Sequence, residues 1–385
     1  MGLCGLRVEP MINLPHTVLP LDPDDLESHD AALDAFLKMV RESKVRMILV
    51  VIPDKDTRLY PKIKFRTDVT HGLHCVCVAA KNVNKQWSGR SGPAQYLANV
   101  ALKFNLKRGG INQQLPKDKM GILDDGNTML MGLDVTHPSP DSQKGAPSIA
   151  ACVASIDKRC GQWPASIRAQ ESRKEMVSDL DDMIVERLRS WQNNNKGALP
   201  NKILVYRDGV SEGQYLTVLN QESPLFDKAI NRIYKANEKK PLVTIIIVGK
   251  RHHTRFYPTD ENGMARSGNP HPGTIVDRGI TMERGWDFFL QAHDDLKGTA
   301  RPAHYVVVQN QIGIKVDALE QLVRFIRAVY PCVDADCVSR LIIYAICLVV
   351  LPNQCRFAPL PTTLILSLKE LVVTLTRLSM LVEAI

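Results

Sequence analysis

The sequence predicts an α/β protein whose larger part is a mixed sheet with helices on its faces. Three observations carry this. Helical spacings alternate with short apolar runs ahead of the turn Gly109-Gly110, and a meander of strand-like runs follows it. Two apolar strands, 129–134 and 203–208, then each run straight into an aspartate, Asp134 and Asp208.

Taken in order, residues 1–24 are rich in Pro and lack periodicity, so an irregular segment is expected there. From 24 to 42, Leu26, Leu33, Phe36, Leu37 and Val40 recur near helical spacing behind first-turn acids, which predicts a helix. The run 47–52 is apolar throughout and halted by Pro53, the pattern of a buried strand. Residues 60–67 read as a basic helix, 74–80 as a strand and 94–105 as a helix. Polar, turn-rich residues 111–127 mark a boundary, so domains are expected at 25–115 and 116–322.

The second region continues with strands at 148–156 and 163–170. A helix is expected over 175–191, because Met176, Leu180, Met183, Ile184, Leu188 and Trp191 keep one stripe while Glu171, Asp179, Asp182 and Arg189 fall off it. The strand ending at Asp208, a helix near 224–236 and strands at 242–248 and 304–308 complete the set. There is no internal repeat and no low-complexity tract.

Composition narrows the class. A chain of 385 residues can bury a sizeable core in two or three domains. Net charge is +8, a moderate basic excess that favours a polyanionic partner only weakly. Nine cysteines lie scattered with no C-x-x-C pair, and Cys75-Val76-Cys77 alternates as buried packing does rather than as a zinc half-site. This usage predicts a reducing compartment, cytoplasmic with the nucleus as the alternative. The start, Met1-Gly2-Leu3-Cys4-Gly5, has neither the basic and apolar regions of a signal peptide nor the Ser or Thr of a myristoylation site. The longest apolar run, 341–351, is too short to span a bilayer, so no membrane partner is expected.

An aspartate at a strand end is commonly a turn former or a helix cap. Two of them on separate buried strands, each with an unusual tail, leave a divalent-metal site open beside that reading. Asp134 is followed by Thr136, His137 and Pro138, and Asp208 by Gly209 and Ser211-Glu212-Gly213-Gln214, a turn that lets backbone approach a ligand. After the strand 242–248 comes Lys250-Arg251-His252-His253-Thr254-Arg255, a cationic cluster at the carboxyl edge where α/β sheets bind ligands. Adjacent histidines on an extended segment face opposite ways, so phosphate contact by Lys250, Arg251 and Arg255 is the better use of this loop. Tyr60, Lys62, Lys64, Lys103, Lys107 and Arg108 make a second cationic set, with Tyr60 offering a ring on which a base can stack.

Together the motifs are specific. Gly132-Leu133-Asp134-Val135-Thr136-His137-Pro138, Tyr206-Arg207-Asp208-Gly209-Val210-Ser211-Glu212-Gly213-Gln214, the Lys250–Arg255 run and Gly298-Thr299-Ala300-Arg301-Pro302-Ala303-His304-Tyr305, in that order, closely resemble the PIWI domain of eukaryotic Argonaute proteins, with a fungal flavour. Gly273-Thr274-Ile275-Val276-Asp277 and Lys107-Arg108-Gly109-Gly110-Ile111-Asn112 fit the same pattern, and the likeness covers residues 30–322.

The resemblance implies an RNase H-like PIWI domain preceded by a partial, Rossmann-like MID domain. It implies a small guide RNA and a complementary target RNA as partners, with silencing-complex proteins besides, and target cleavage with two Mg²⁺ or Mn²⁺ ions. By position, Asp134, Glu175 and Asp208 match catalytic acids of the family, with Asp134 and Asp208 as metal ligands. Tyr60, Lys64, Lys103 and Lys107 match the pocket for the guide's 5′-phosphate, and Val76 stands where many relatives place a glutamine.

The chain departs from the family in two ways. By this alignment it is expected to start partway into the MID region, with the N-terminal and PAZ domains missing. After Lys315-Val316-Asp317-Ala318-Leu319-Glu320-Gln321-Leu322 the pattern stops, the last histidine is His304, and the only later aspartates are Asp334 and Asp336, neither in a context that fits the family's fourth metal ligand. Residues 323–385 are expected to be a divergent apolar tail. Three functions therefore stand: a guide-directed endoribonuclease, an RNA-binding module that silences by occupancy, or a truncated or misspliced product.

Overall fold

The computed structural model describes residues 26–43, 45–52, 59–83, 93–112, 114–138, 145–292, 294 and 298–329. The irregular segment expected at 1–24 and nearly all of the expected tail lie outside these residues. The chain divides after Asn112 into two compact units.

The first unit begins with helix α1 (Leu26–Glu42) and strand β1 (Met47–Ile52), then α2 (Leu59–Lys64) runs into a π-helical turn, Phe65–Thr70. Strand β2 (His74–Ala79), the short α3 (Ala80–Val83) and α4 (Pro93–Lys107) follow. The two strands pair in parallel, from Met47 with His74 to Ile52 with Ala79. A parallel pair needs a crossover, and the α2 segment supplies it. The expected apolar stripe of α1 is real: Leu33, Leu37 and Val40 pack with Ile52, Ile63, Leu73 and Cys75. On the other face of β2, Val76 and Val78 pack against Val100 of α4. Asp34 of α1 clamps the crossover, with Arg66 Nη1 at 2.8 Å and His71 Nε2 at 3.2 Å.

The second unit is one eight-stranded mixed sheet. Its elements are β3 (Thr128–Thr136), β4 (Ser148–Ala154), β5 (Ala165–Gln170), α5 (Leu180–Asn194), β6 (Lys202–Asp208), α6 (Tyr215–Thr217), α7 (Ser223–Ile233), β7 (Leu242–Gly249), β8 (Thr274–Val276), β9 (Asp287–Gln291), β10 (Ala303–Asn310) and α8 (Val316–Val329). The strand order is β5-β4-β3-β6-β7-β10-β9-β8. β3, β6 and β7 are parallel in the middle, and antiparallel strands flank them on both sides. The meander read from the sequence is β3-β4-β5. Alternation sorts each central strand between two cores: Met129, Met131, Ile203 and Val205 face α5 and α7, while Leu130, Leu204, Tyr206 and Ile246 face the α8 side with Leu319 and Leu322.

Three expectations are corrected. The long helix starts at Leu180, not at residue 175. Met176 and Val177 enter the same core as Leu180 and so complete the apparent stripe, but the chain there is an irregular loop pinned by Gln170, whose side-chain amide donates to the carbonyl of Met176 and accepts from Ser178 N. Strands β8 and β9 lie where no strand is expected; Asp287–Gln291 is buried on both faces and shows no alternation. Helix α8 runs through Leu322 to Val329, and Val323 and Ile326 join the core of Leu319 and Leu322, so the packed structure does not end where the motif pattern does.

Candidate active site and anion-binding residues

β3 and β6 are adjacent and parallel, with Leu133 opposite Arg207, so the next residue on each strand is an aspartate at the same level. Registered positions on parallel neighbours point to the same side of the sheet. Asp134 and Asp208 therefore stand side by side at two strand ends. Asp134 is buried, and its carboxyl is pushed up to about 6, first by burial and then by the negative charge of Asp208.

The turn after β6 brings the third acid in. Gly209 has φ +87°, a conformation open to glycine and strained for other residues. A β-carbon built there would meet Glu175 Oε1 at 3.1 Å and Asp134 Oδ1 at 3.6 Å, so both carboxylates crowd one point above Gly209. Gly209 N also donates to Asp208 Oδ1 at 2.7 Å.

Glu175 reaches this point from the loop between β5 and α5, and two residues hold it there. His137 Nε2 lies 2.7 Å from Glu175 Oε2, while the other ring nitrogen meets Ser148 Oγ at 2.8 Å. Arg207 Nη2 donates to the Glu175 carbonyl oxygen at 2.7 Å, and its guanidinium nitrogens lie 3.4 Å from Oε1. Arg207 is fully buried and is fixed from behind by Glu222, with Nε 3.0 Å from Oε2. Glu222 in turn accepts from Val177 N at 3.2 Å, two residues beyond Glu175. Glu175 is thus a tethered loop carboxylate, five residues ahead of the helix that was expected to begin there.

His137, Arg207 and Glu222 were not identified as functional from the sequence, although His137 and Arg207 lie inside quoted motifs. For Arg207 the signal was a charged residue near the end of an apolar strand, since a fully buried arginine requires paired acids.

The donor chemistry fits a hard divalent cation. Such an ion is commonly held through one or two carboxylates while it keeps waters and takes up phosphate oxygens, and Asp134 and Asp208 offer that arrangement. Among the described residues, no group of three or more His, Cys, Asp or Glu side chains is placed to hold a metal ion. Asp334 and Asp336 lie outside the described residues.

In the first unit, Lys64 and Lys107 converge. Their Nζ atoms donate to one acceptor, the Cys75 carbonyl oxygen, at 3.2 and 2.8 Å. Lys64 is buried and also pairs with Asp68, a partner not foreseen from the sequence. Lys107 is pushed down to about 8, first by burial and then by the positive charge of Lys64. Tyr60 is half-buried and packs against the cluster of Leu37 and Ile63. Lys103 is exposed one turn before Lys107.

In the second unit, Arg251 is exposed, whereas Lys250 and Arg255 are half-buried. Arg255 Nη1 donates to the Thr254 carbonyl oxygen at 2.7 Å. The two histidines part as expected. His252 packs edge-on against Phe289, with Nε2 donating to the Pro302 carbonyl oxygen at 3.0 Å, and His253 is exposed.

Comparison with known proteins adds lineage to this geometry. Residues 47–349 match the Piwi domain family. The chain is 38% identical over 295 residues to Protein argonaute 18 of Oryza sativa subsp. japonica, covering 73% of this chain and 26% of that protein. It is 35% identical over 344 residues to Protein argonaute 5 of Arabidopsis thaliana, covering 84% of this chain and 33% of that protein. Among solved structures, Kluyveromyces polysporus Argonaute with a guide RNA superposes with a TM-score of 0.69 at 30% identity, covering 77% of this chain and 36% of that one. The chain thus spans about a quarter to a third of the length of the curated relatives it matches.

Proposed function

The chain belongs to the Argonaute family through its Piwi domain, and from that premise we propose that it binds a 5′-phosphorylated guide RNA and cleaves a complementary target RNA. The observation that carries this reading is the crowding of Asp134 and Glu175 over Gly209 beside Asp208. Three carboxylates in so small a space repel one another, and a divalent cation relieves that repulsion.

In this reading Asp134 and Asp208 hold Mg²⁺ or Mn²⁺. A bound pair of such ions supplies activation of water and stabilisation of the leaving oxygen. Glu175, kept in place by His137 and Arg207, orients the attacking water and accepts its proton. Lys250, Arg251 and Arg255 take phosphodiester oxygens of the RNA, for which a guanidinium or ammonium is the natural donor. In the first unit Lys64 and Lys107 bind the guide's 5′-phosphate, Tyr60 stacks on its first base and Lys103 adds charge at the rim. Silencing-complex proteins complete the partners, and the site of action is the cytoplasm, with the nucleus as the alternative. Among the described residues no helix is long and apolar enough to cross a membrane.

The test is cleavage of a labelled target in Mg²⁺ or Mn²⁺ with a complementary 5′-phosphorylated guide, comparing the chain with Asp208→Ala. Cleavage by the parent and none by the variant is expected. Guide binding without cleavage by either protein rejects the enzyme. That outcome leaves the second reading, silencing by occupancy.

A further inference from the structure

Cys75 and Cys77 lie two apart on β2, so their side chains project from the same face of the strand. Their Sγ atoms are 3.6 Å apart, in hydrogen-bond contact. Both thiols are free; Cys75 is buried and Cys77 only partly so, which leaves the pair one half-open member. The backbone of the same residue is the anchor of two cations, since the Cys75 carbonyl oxygen receives both Lys64 and Lys107.

Position in a strand decides what kind of bond this pair can form. Two residues of extended chain span about 6.6 Å, at the upper edge of the Cα separation a disulfide tolerates. Closing the sulfurs to about 2.05 Å therefore requires the strand to pucker at Val76. A bridge under that strain is readily reduced, the property of regulatory rather than structural disulfides.

We propose that Cys75 and Cys77 are a reversible oxidation site, forming with hydrogen peroxide a disulfide that spans Val76, displaces the Cys75 carbonyl and loosens the Lys64–Lys107 anion pocket. The effect on the pocket rests on the guide-phosphate reading above; the disulfide itself does not.

The chemistry balances. The Cys75 thiolate attacks one peroxide oxygen, the O–O bond breaks, and hydroxide leaves to become water with the proton the thiol gave up. The Cys77 thiol then attacks the Cys75 sulfenic acid, the S–S bond forms, the S–O bond breaks and a second water leaves. Two thiols and one peroxide give one disulfide and two waters. The surroundings favour the first step: the hydrogen bond from Cys77 lowers the Cys75 thiol, and Lys64 and Lys107 add to that against the opposing effect of burial.

The experiment treats the full chain with peroxide, quenches it, alkylates free thiols and maps the peptides by mass. The expected product links Cys75 to Cys77, with loss of two hydrogens and recovery of both thiols on dithiothreitol; Cys75→Ser and Cys77→Ser each abolish it. Both thiols remaining alkylatable, either one passing to sulfinic acid, or either bridging to a different cysteine overturns the site. In a second arm, the reduced and oxidised chains are titrated with 5′-phosphorylated and 5′-hydroxyl RNA of one sequence. Oxidation is expected to lower the preference for the 5′-phosphate about tenfold, and the double Cys75→Ser, Cys77→Ser chain keeps its preference in peroxide. A disulfide that forms without changing this preference overturns the coupling. A reduced chain with no preference for the 5′-phosphate overturns both the pocket reading and the coupling, while peptide mapping still decides the disulfide.

Discussion

Arg207 Nε lies 3.0 Å from Glu222 Oε2 with both side chains essentially sealed from solvent. The pair is the keel of the candidate active site, because the other side of the same guanidinium holds Glu175. Removing one partner strands a buried charge. Glu222→Ala is therefore expected to cost about 3–5 kcal/mol of stability, read from denaturant unfolding. A loss below about 1 kcal/mol would mean that water reaches Arg207.

His137 acts on Glu175 from the exposed side, so its removal should separate positioning from folding. His137→Ala is expected to leave the melting temperature within about 2 °C of the parent while slowing single-turnover cleavage by about 10²-fold. Unchanged cleavage would show that Arg207 alone suffices to place Glu175.

Asp134 sets a pH dependence whose sign is fixed by its direction. Its folded-state value is about 6, above the ~3.9 of an unfolded aspartate, so between these values the folded chain binds the extra proton. Its contribution to stability then falls as pH rises from about 4 to about 6 and stays low above that. In chelator, Asp134→Asn is expected to be more stable than the parent at neutral pH, by up to about 3 kcal/mol, with the gap closing toward pH 4. A constant gap across that window refutes the shift.

Lys107 carries a second, independent pH effect. Pushed down to about 8, it is charged at neutral pH and neutral in moderate alkali. Preference for a 5′-phosphate should decline between about pH 7 and 9, and Lys107→Arg should flatten the profile because a guanidinium stays charged. Fluorescence-anisotropy titrations at fixed ionic strength measure it.

Gly209→Ala tests the crowded point itself. The substitution is strained at φ +87° and puts a methyl group 3.1 Å from Glu175 Oε1. About 1–3 kcal/mol of stability and most cleavage should be lost together. A fully active variant would show that the carboxylates converge elsewhere.

Much of the fold was legible because burial leaves periodicity behind. β1 begins and ends at the residues read from the apolar run halted by Pro53, and α1 carries the stripe from Leu33 to Val40. Spacing misled where apolar residues share a core without sharing an element, as Met176, Val177 and Leu180 do across a loop and a helix start. β9 escaped because a strand buried on both faces has no alternation to detect.

Local pattern and ordered motifs are enough to read the α/β class, the family and the two strand-end aspartates from the amino-acid order. It took the folded sheet to register Leu133 with Arg207 and so to level Asp134 with Asp208. Folding likewise makes Glu175 a loop carboxylate tethered by His137 and Arg207, and brings Lys64 and Lys107 to the Cys75 carbonyl. Contacts between residues tens of positions apart depend on strand register and on the pairing of buried charge, and neither leaves a periodic trace along the chain.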